Sequence, residues 1–186
     1  MRIESPAFTE REILGSLDEF RDHERQQLAD RLEAGSTRLA ELVRNIPASK
    51  GHPPPFTGVG AVSASSDEWT AQEVLAHIAV LSKFYGVLTY QVGSGKMTEL
   101  DLLPQVRDRD VAGEQMSSLP PEQLLAFAQR DHQRTIAYLR SADAAAMQRR
   151  AIFWDGLSMS AWEIAQLPLC AHLEMHLDQL ERTLRR

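Results

Sequence analysis

The sequence predicts an all-α fold, and two observations carry this prediction. No segment of the 186 residues alternates apolar and polar side chains beyond a few positions, whereas apolar residues recur at helical spacing through most of the chain. Three predicted helix starts also carry a capping box, in which a Ser or Thr hydroxyl and a Glu three residues later bond free backbone N–H groups. The boxes pair Thr9 with Glu12, Thr70 with Glu73, and Ser160 with Glu163.

Four helices joined by long connections are predicted, so a four-helix bundle is the expected architecture. The helices cover about residues 9–46, 70–92, 121–140 and 160–184. The connection at 47–68 is rich in Pro, Gly and Ser, which favour turns over helix, and a second connection covers 93–119. We expect residues 1–186 to form a single domain, with the polar residues 1–27 as an N-terminal helical extension.

Composition and charge exclude several classes of function. The chain is 43% hydrophobic and 25% charged, and it has no apolar run that predicts a signal peptide or a membrane span, so we expect a cytoplasmic protein with no membrane partner. A net charge of -6 argues against a nucleic-acid partner, because such proteins need clustered Lys and Arg. Cys170 is the only cysteine, so any metal site has to use histidine or carboxylate ligands.

A pair of histidines marks the fourth helix. His172 and His176 are four residues apart, which on a helix separates them by only ~40° around the axis and ~6 Å along it. Two imidazoles in this arrangement can bind one metal ion. The same spacing also occurs by chance on many helices, and a histidine on an apolar face is often a hydrogen-bonded core residue.

A third ligand is needed for useful affinity, and His77 is the best candidate. It lies on the apolar stripe of the second helix and is therefore expected to face the interior. His132, on the inner side of the third helix, is the competing candidate. Neutral imidazoles suit Zn, Ni, Fe or Cu, and three of them with an open fourth position define a catalytic rather than a structural zinc site.

Two sequence segments resemble the DinB-like (DinB/YfiT-like) family of metalloenzymes. These are EWTAQEVLAHIA at the start of the second helix and HLEMHLDQL in the fourth, and the resemblance covers about residues 28–185. It implies a four-helix bundle whose metal ligands are His77, His172 and His176, with Gln179 matching a Gln often found three residues after the last ligand. The chain departs from the family pattern at its polar N-terminal segment and at Pro168, which is expected to kink the fourth helix because it has no N–H.

The positions of the three histidines along their helices also predict how the helices run. His77 is seven residues from the start of its helix, and the pair is close to the end of the fourth, so antiparallel packing of these helices brings all three to a similar level. Connection 93–119 is long enough to carry the chain back along the bundle. We therefore expect an up-down-down-up order, which is also the arrangement implied by the family resemblance.

Two functions remain open at this stage. The first is a protein that binds a divalent metal, Zn or Ni being favoured, and acts on a small-molecule substrate. The resemblance implies a thiol-dependent transferase that uses a low-molecular-weight thiol, and a metal-dependent hydrolase is the other option in this class. The second is a stress-related, non-enzymatic helical scaffold in which the histidines are structural. The oligomeric state also stays open, a homodimer being one option.

Overall fold

The computed structural model describes residues 25–46, 69–101, 105, 112–113, 115–153 and 157–185. The predicted N-terminal extension, the box at Thr9 and Glu12, and connection 47–68 lie outside these residues. Three helices come first, α1 (Arg25–Val43), α2 (Ala71–Gly93) and α3 (Pro121–Ser141). They are followed by the short α4 (Ala144–Gln148), the strands β1 (Arg150–Ile152) and β2 (Ser158–Ser160), α5 (Ala161–Ile164), a π-helical segment (Ala165–Ala171) and α6 (His172–Leu184).

The all-α prediction is confirmed for the main body of the described chain, and so are two of its capping boxes. At the start of α2, the Glu73 carboxylate accepts from the Thr70 backbone N–H at 2.7 Å, and the Thr70 hydroxyl accepts from the Glu73 N–H at 3.3 Å. Ser160 and Glu163 form the same reciprocal pair before α5. These local bonds fix where α2 begins and where the helical stretch that leads through the π-helical segment into α6 begins.

Contacts between the long helices show their relative directions. α1 and α6 are parallel, because Arg31 pairs with Glu174 and, seven residues further along both helices, Arg38 pairs with Glu181. α1 and α3 are antiparallel, since Arg140 near the end of α3 contacts acidic side chains near the start of α1.

α2 and α3 are parallel. His132 contacts Ser82, and Thr135 lies against Gly86 one turn further along both helices. The Gln72 amide donates to the backbone carbonyls of residues 117 and 119, so the connection returns the chain to the start of α2 before α3 begins. The helices therefore run up, down, down and up, as expected from the histidine positions.

The helices pack around one core rich in leucine, isoleucine and valine, and α2 comes close to α3 at Gly86. A Cβ atom added at Gly86 would overlap the Thr135 hydroxyl oxygen, which is itself bonded to the Asp131 carbonyl at 3.0 Å. Because glycine has no Cβ atom, it allows these two helices to lie at this distance.

The sequence analysis did not predict the short hairpin formed by β1 and β2. Arg150 pairs with Ser160, and Ile152 pairs with Ser158, in an antiparallel register. Ile152 also bonds the chain just after α2, since its N–H donates to the Thr98 carbonyl and its carbonyl accepts from the Leu100 N–H, both at 2.9 Å. The hairpin thus ties the start of connection 93–119 to the entrance of the last helix.

The helix around Pro168 is π-helical rather than α-helical. Proline cannot donate an i→i−4 bond, and between Ala165 and Ala171 the bonding pattern widens by one residue. The backbone N–H of His172 donates to the Leu167 carbonyl, five residues earlier. The chain continues from this segment into α6, so the histidine pair starts where the regular α-helix resumes.

No helix among the described residues is both long enough and apolar enough to cross a membrane.

Candidate metal centre

The structure brings the three predicted ligand residues together. His77 projects from α2, and His172 and His176 project from adjacent turns of α6. One nitrogen from each ring lies within 4.8 Å of the other two. His77 and His176 are buried, and His172 is half-buried, so the cluster has one side nearer to solvent.

Gln179 fixes the tautomer of His176. The His176 Nδ1–H donates to the Gln179 side-chain oxygen at 2.7 Å, which leaves the lone pair on Nε2. This Nε2 faces Nε2 of His172 at 2.8 Å. A partner that holds the outer ring nitrogen and exposes the inner one is typical of histidines that bind metal.

The donor set fits a transition metal ion. Two nitrogens bound to one tetrahedral zinc ion at ~2.0–2.1 Å are ~3.3 Å apart, so the 2.8 Å pair would need to open by a few tenths of an ångström. A small rotation of the half-buried His172 ring provides this movement. The cluster contains three imidazoles and no carboxylate or thiol from the described part of the chain, a composition that favours zinc, nickel or copper over magnesium or calcium.

Two aromatic side chains flank the histidines, and the sequence analysis did not assign either to the site. The Trp69 ring lies 4.9 Å from His77 and stacks nearly parallel to His176 at 6.4 Å. Tyr85, two turns after His77 on α2, lies 6.3 Å from His172. The helical spacing of Tyr85 from His77 is the sequence signal that points to this position.

His132, the competing candidate, lies outside the cluster. Its Nε2 is 2.7 Å from the Ser82 hydroxyl, which itself donates to the Ile78 carbonyl. Because that hydroxyl has one hydrogen, it accepts from an Nε2–H of His132. Complete burial lowers the pKa of His132 to about 4, so the ring is neutral at neutral pH. His132 is a hydrogen-bonded core residue between α2 and α3.

Glu73 and Cys170 also have structural roles. Glu73 is part of the cap of α2. Cys170 is 1% exposed, its thiol donates to the Leu28 carbonyl at 3.7 Å, and burial raises the pKa of the thiol to about 12. A thiol with this pKa stays protonated and is a poor metal ligand.

Replacing Gln179 is expected to weaken metal binding without removing a ligand. In Gln179→Leu the side-chain volume is nearly kept, but Nδ1 of His176 loses its acceptor, so both the tautomer and the ring orientation are released. We expect metal affinity to fall by about 10- to 100-fold, measured by competition with a chromophoric chelator. Gln179→Glu, which keeps an acceptor, is the matched variant and should retain affinity. Equal affinity in Gln179→Leu and the unmodified protein would mean that Gln179 has no part in the site.

Comparison with known proteins agrees with the resemblance seen in the sequence. A model of the DinB superfamily matches residues 16–180. Two solved structures of mycothiol-dependent maleylpyruvate isomerase also match. The structure of a His-to-Ala mutant matches with a TM-score of 0.59 at 14% sequence identity. The other matches with a TM-score of 0.57 at 15% sequence identity. No curated protein matches the sequence.

The two structural matches establish a shared fold and no more, because the sequence identity is low. Each covers 89% of this chain and 61% of the isomerase chain, so the protein spans less than two thirds of the isomerase's length. The superfamily match, in contrast, runs through α1 to α6 and includes all three histidines of the cluster. On this evidence the chain belongs to the DinB superfamily.

Proposed function

We propose that the protein binds one divalent transition metal ion, zinc or nickel, through His77, His172 and His176. The convergence of the three imidazoles within 4.8 Å is the single observation that carries this proposal. Gln179 supports it, because it leaves the lone pair of His176 directed toward the other two rings. The three ligands come from two antiparallel helices that are held in place by the core, so the site is built on rigid elements.

We further propose that the site is catalytic, with a small-molecule thiol as the co-substrate of a transferase or isomerase reaction. Three neutral ligands leave the double charge of such an ion uncompensated, and when bound it supplies Lewis-acid chemistry that lowers the pKa of a thiol or water. Two matched structures, which are described as mycothiol-dependent, support the thiol over water. A metal-dependent hydrolase, which would activate water in the same position, is the alternative within this class.

The chain's own residues have distinct roles in this proposal. His77, His172 and His176 hold the ion, and Gln179 orients the ring of His176. Trp69 covers the cluster on the side of His77 and His176, which limits access of water from that side. His172 is the half-buried member of the cluster, so in this proposal the small molecule reaches the ion from the side of His172.

Cobalt substitution tests the open coordination position directly. We expect a small thiol such as 2-mercaptoethanol to produce a sulfur-to-cobalt charge-transfer band in the cobalt-substituted protein, because a thiolate is a soft anionic ligand that compensates the charge. The band should be absent in His172→Ala. Cys170→Ala should give the same band as the unmodified protein, since the Cys170 thiol is buried and protonated. If no thiol, anion or pH change alters the cobalt spectrum, the coordination sphere is closed and the scaffold alternative becomes the better account.

Metal removal is expected to leave the fold intact. Large apolar side chains from all four long helices are fully buried, and at ~25 cal/mol per Å² their burial stabilises the bundle without help from an ion. After dialysis against a chelator, the far-ultraviolet circular dichroism spectrum should keep its helical signal. Cooperative unfolding on chelation would instead show that the metal has a structural role, as in domains that are unfolded without zinc.

A further inference from the structure

A second concave site lies beside the candidate metal centre. It is a cleft of about 550 Å³ that follows α2 from Ala79 to Gln91, with α3 on one side and parts of connection 93–119 on the other. The twelve residue-to-residue rises from Ala79 to Gln91 correspond to a length of ~18 Å. Much of its wall is apolar, with Phe84, Leu88, Met97 and Phe127 among the lining residues. Its volume and apolar lining are in the range of small-molecule sites.

The cleft is distinct from the metal centre but begins next to it. None of the three histidines is among its lining residues. Ala79 and Val80, at one end, follow His77 by two and three residues on α2. A Cβ atom added at Gly113 would lie 4.0 Å from the His77 Cα, and the neighbouring Ala112 lines the cleft, so connection 93–119 passes near His77 as well as along the cleft.

Lys83 gives the cleft lining a positive charge that has no counter-charge among the described residues. The Lys83 ammonium makes no ion pair or hydrogen bond with any residue in the described part of the chain. Arg130 is the second cation in the lining, and Asp131 is the anion. The Asp131 carboxylate is already neutralised, because it lies 3.7 Å from Arg130 and 3.4 Å from Arg134. A ligand with a negative charge therefore complements this lining, and Lys83 is its natural partner.

The two cations lie at the same end of the cleft. The contacts of Ser82 with His132 and of Gly86 with Thr135 set the register of the parallel helices, and this register places Arg130 level with Val80. Lys83 is three residues further along α2, a rise of ~4.5 Å. The opposite end has apolar walls at Val87, Leu88 and Met97, and ends at the half-buried amide of Gln91. The charge is at the His77 end, and the apolar surface extends away from it.

We propose that this cleft binds an amphipathic carboxylate, with the carboxylate on Lys83 and Arg130 and an extended apolar tail along α2. This proposal goes beyond the proposed function, because none of the residues that line the cleft belongs to the proposed metal site. A ligand bound in this way has its charged end at the His77 end of the cleft, where Phe127 lies beside Arg130, and its tail along Phe84 and Leu88. Apolar burial of the tail and a charge-assisted contact at the head together select this class over neutral lipids and over short anions.

Calorimetric titration of the full chain with octanoate tests the proposal. The protein is first freed of metal with a chelator, and butanoate and octan-1-ol serve as the short anion and the uncharged chain. Octanoate should bind more tightly than either. Lys83→Met, which keeps the apolar stem, should weaken octanoate binding about tenfold and leave octan-1-ol unchanged. Lys96→Met is the matched control, since Lys96 is exposed, lies against Tyr90 outside the cleft lining, and should bind octanoate normally.

A second variant tests the tail end of the cleft. Val87 is 47% exposed and lines the cleft, so Val87→Glu should fold normally but place a like charge beside the apolar tail, and octanoate binding should be lost. Three results would overturn the proposal. They are no octanoate binding at millimolar concentration, equal affinity in Lys83→Met and the unmodified protein, or binding that requires metal and disappears in His176→Ala.

Discussion

His176→Ala is expected to reduce the metal content of the purified protein from about one ion per chain to nearly none. The substitution removes a buried ligand and also leaves Gln179 without the ring it holds. The two remaining imidazoles, from α2 and α6, form a site with too few ligands to retain zinc through dialysis. Elemental analysis of the dialysed protein measures the effect. His77→Ala and His172→Ala should give the same loss.

Other histidines provide the controls. His132→Ala should keep the metal, because His132 bonds Ser82 and lies outside the cluster, although the loss of a buried side chain will lower stability. His23→Ala, outside the described residues, should keep the metal. Retention of metal in His77→Ala together with its loss in His132→Ala would show that the wrong third ligand has been chosen. Circular dichroism of each variant separates loss of the site from loss of the fold.

Gly86→Ala is expected to destabilise the protein by up to ~2 kcal/mol. An added methyl group would overlap the Thr135 hydroxyl, and such overpacking costs ~1–3 kcal/mol, which exceeds the ~1 kcal/mol gained when alanine replaces a helical glycine. Urea unfolding followed by circular dichroism measures the difference. The change should appear in the midpoint rather than in the slope, because the exposed surface on unfolding is hardly altered.

The destabilisation by Gly86→Ala is expected to disappear in a protein that also carries Thr135→Ala. In Thr135→Ala the hydroxyl that meets the added methyl group is absent, so Gly86→Ala should become neutral or stabilising there. Val87→Ala, at the exposed neighbouring position, should change stability little in either background. If Gly86→Ala costs the same with and without Thr135, the close approach of α2 and α3 does not depend on this contact.

Features of the fold that depend on local sequence were predictable. The capping boxes at Thr70 and Ser160 involve side chains three residues apart, so their chemistry is visible without the tertiary structure. The i,i+4 spacing of His172 and His176 likewise follows from helix geometry alone. The inward position of His77 follows from the apolar stripe of α2, and the antiparallel relation of α2 and α6 from the positions of the three histidines along their helices.

Features that depend on distant segments were not predictable in the same way. Each strand of the β1–β2 hairpin has three residues, too short for an alternating pattern, and one of its contacts is with the chain after α2, about fifty residues earlier. Trp69 was visible as the residue before a helix cap, but its stacking on His176 joins positions more than a hundred residues apart. The cleft is lined by α2, α3 and connection 93–119, so the position of Lys83 relative to Arg130 is defined only by the packed helices.

The π-helical segment Ala165–Ala171 sets how far α6 is rotated about the helix axis relative to α5. A π turn contains one residue more than an α turn, so the same residues wound as regular α-helix would rotate everything after them by ~100° relative to Ser160 and Ile164. His172 and His176 would then turn away from His77 although all three histidines are still encoded. The site therefore depends on the backbone conformation around Pro168 as well as on residue type. When superfamily members are aligned, the twelve-residue interval from the Ser160 cap to His172 is as informative as the histidines themselves.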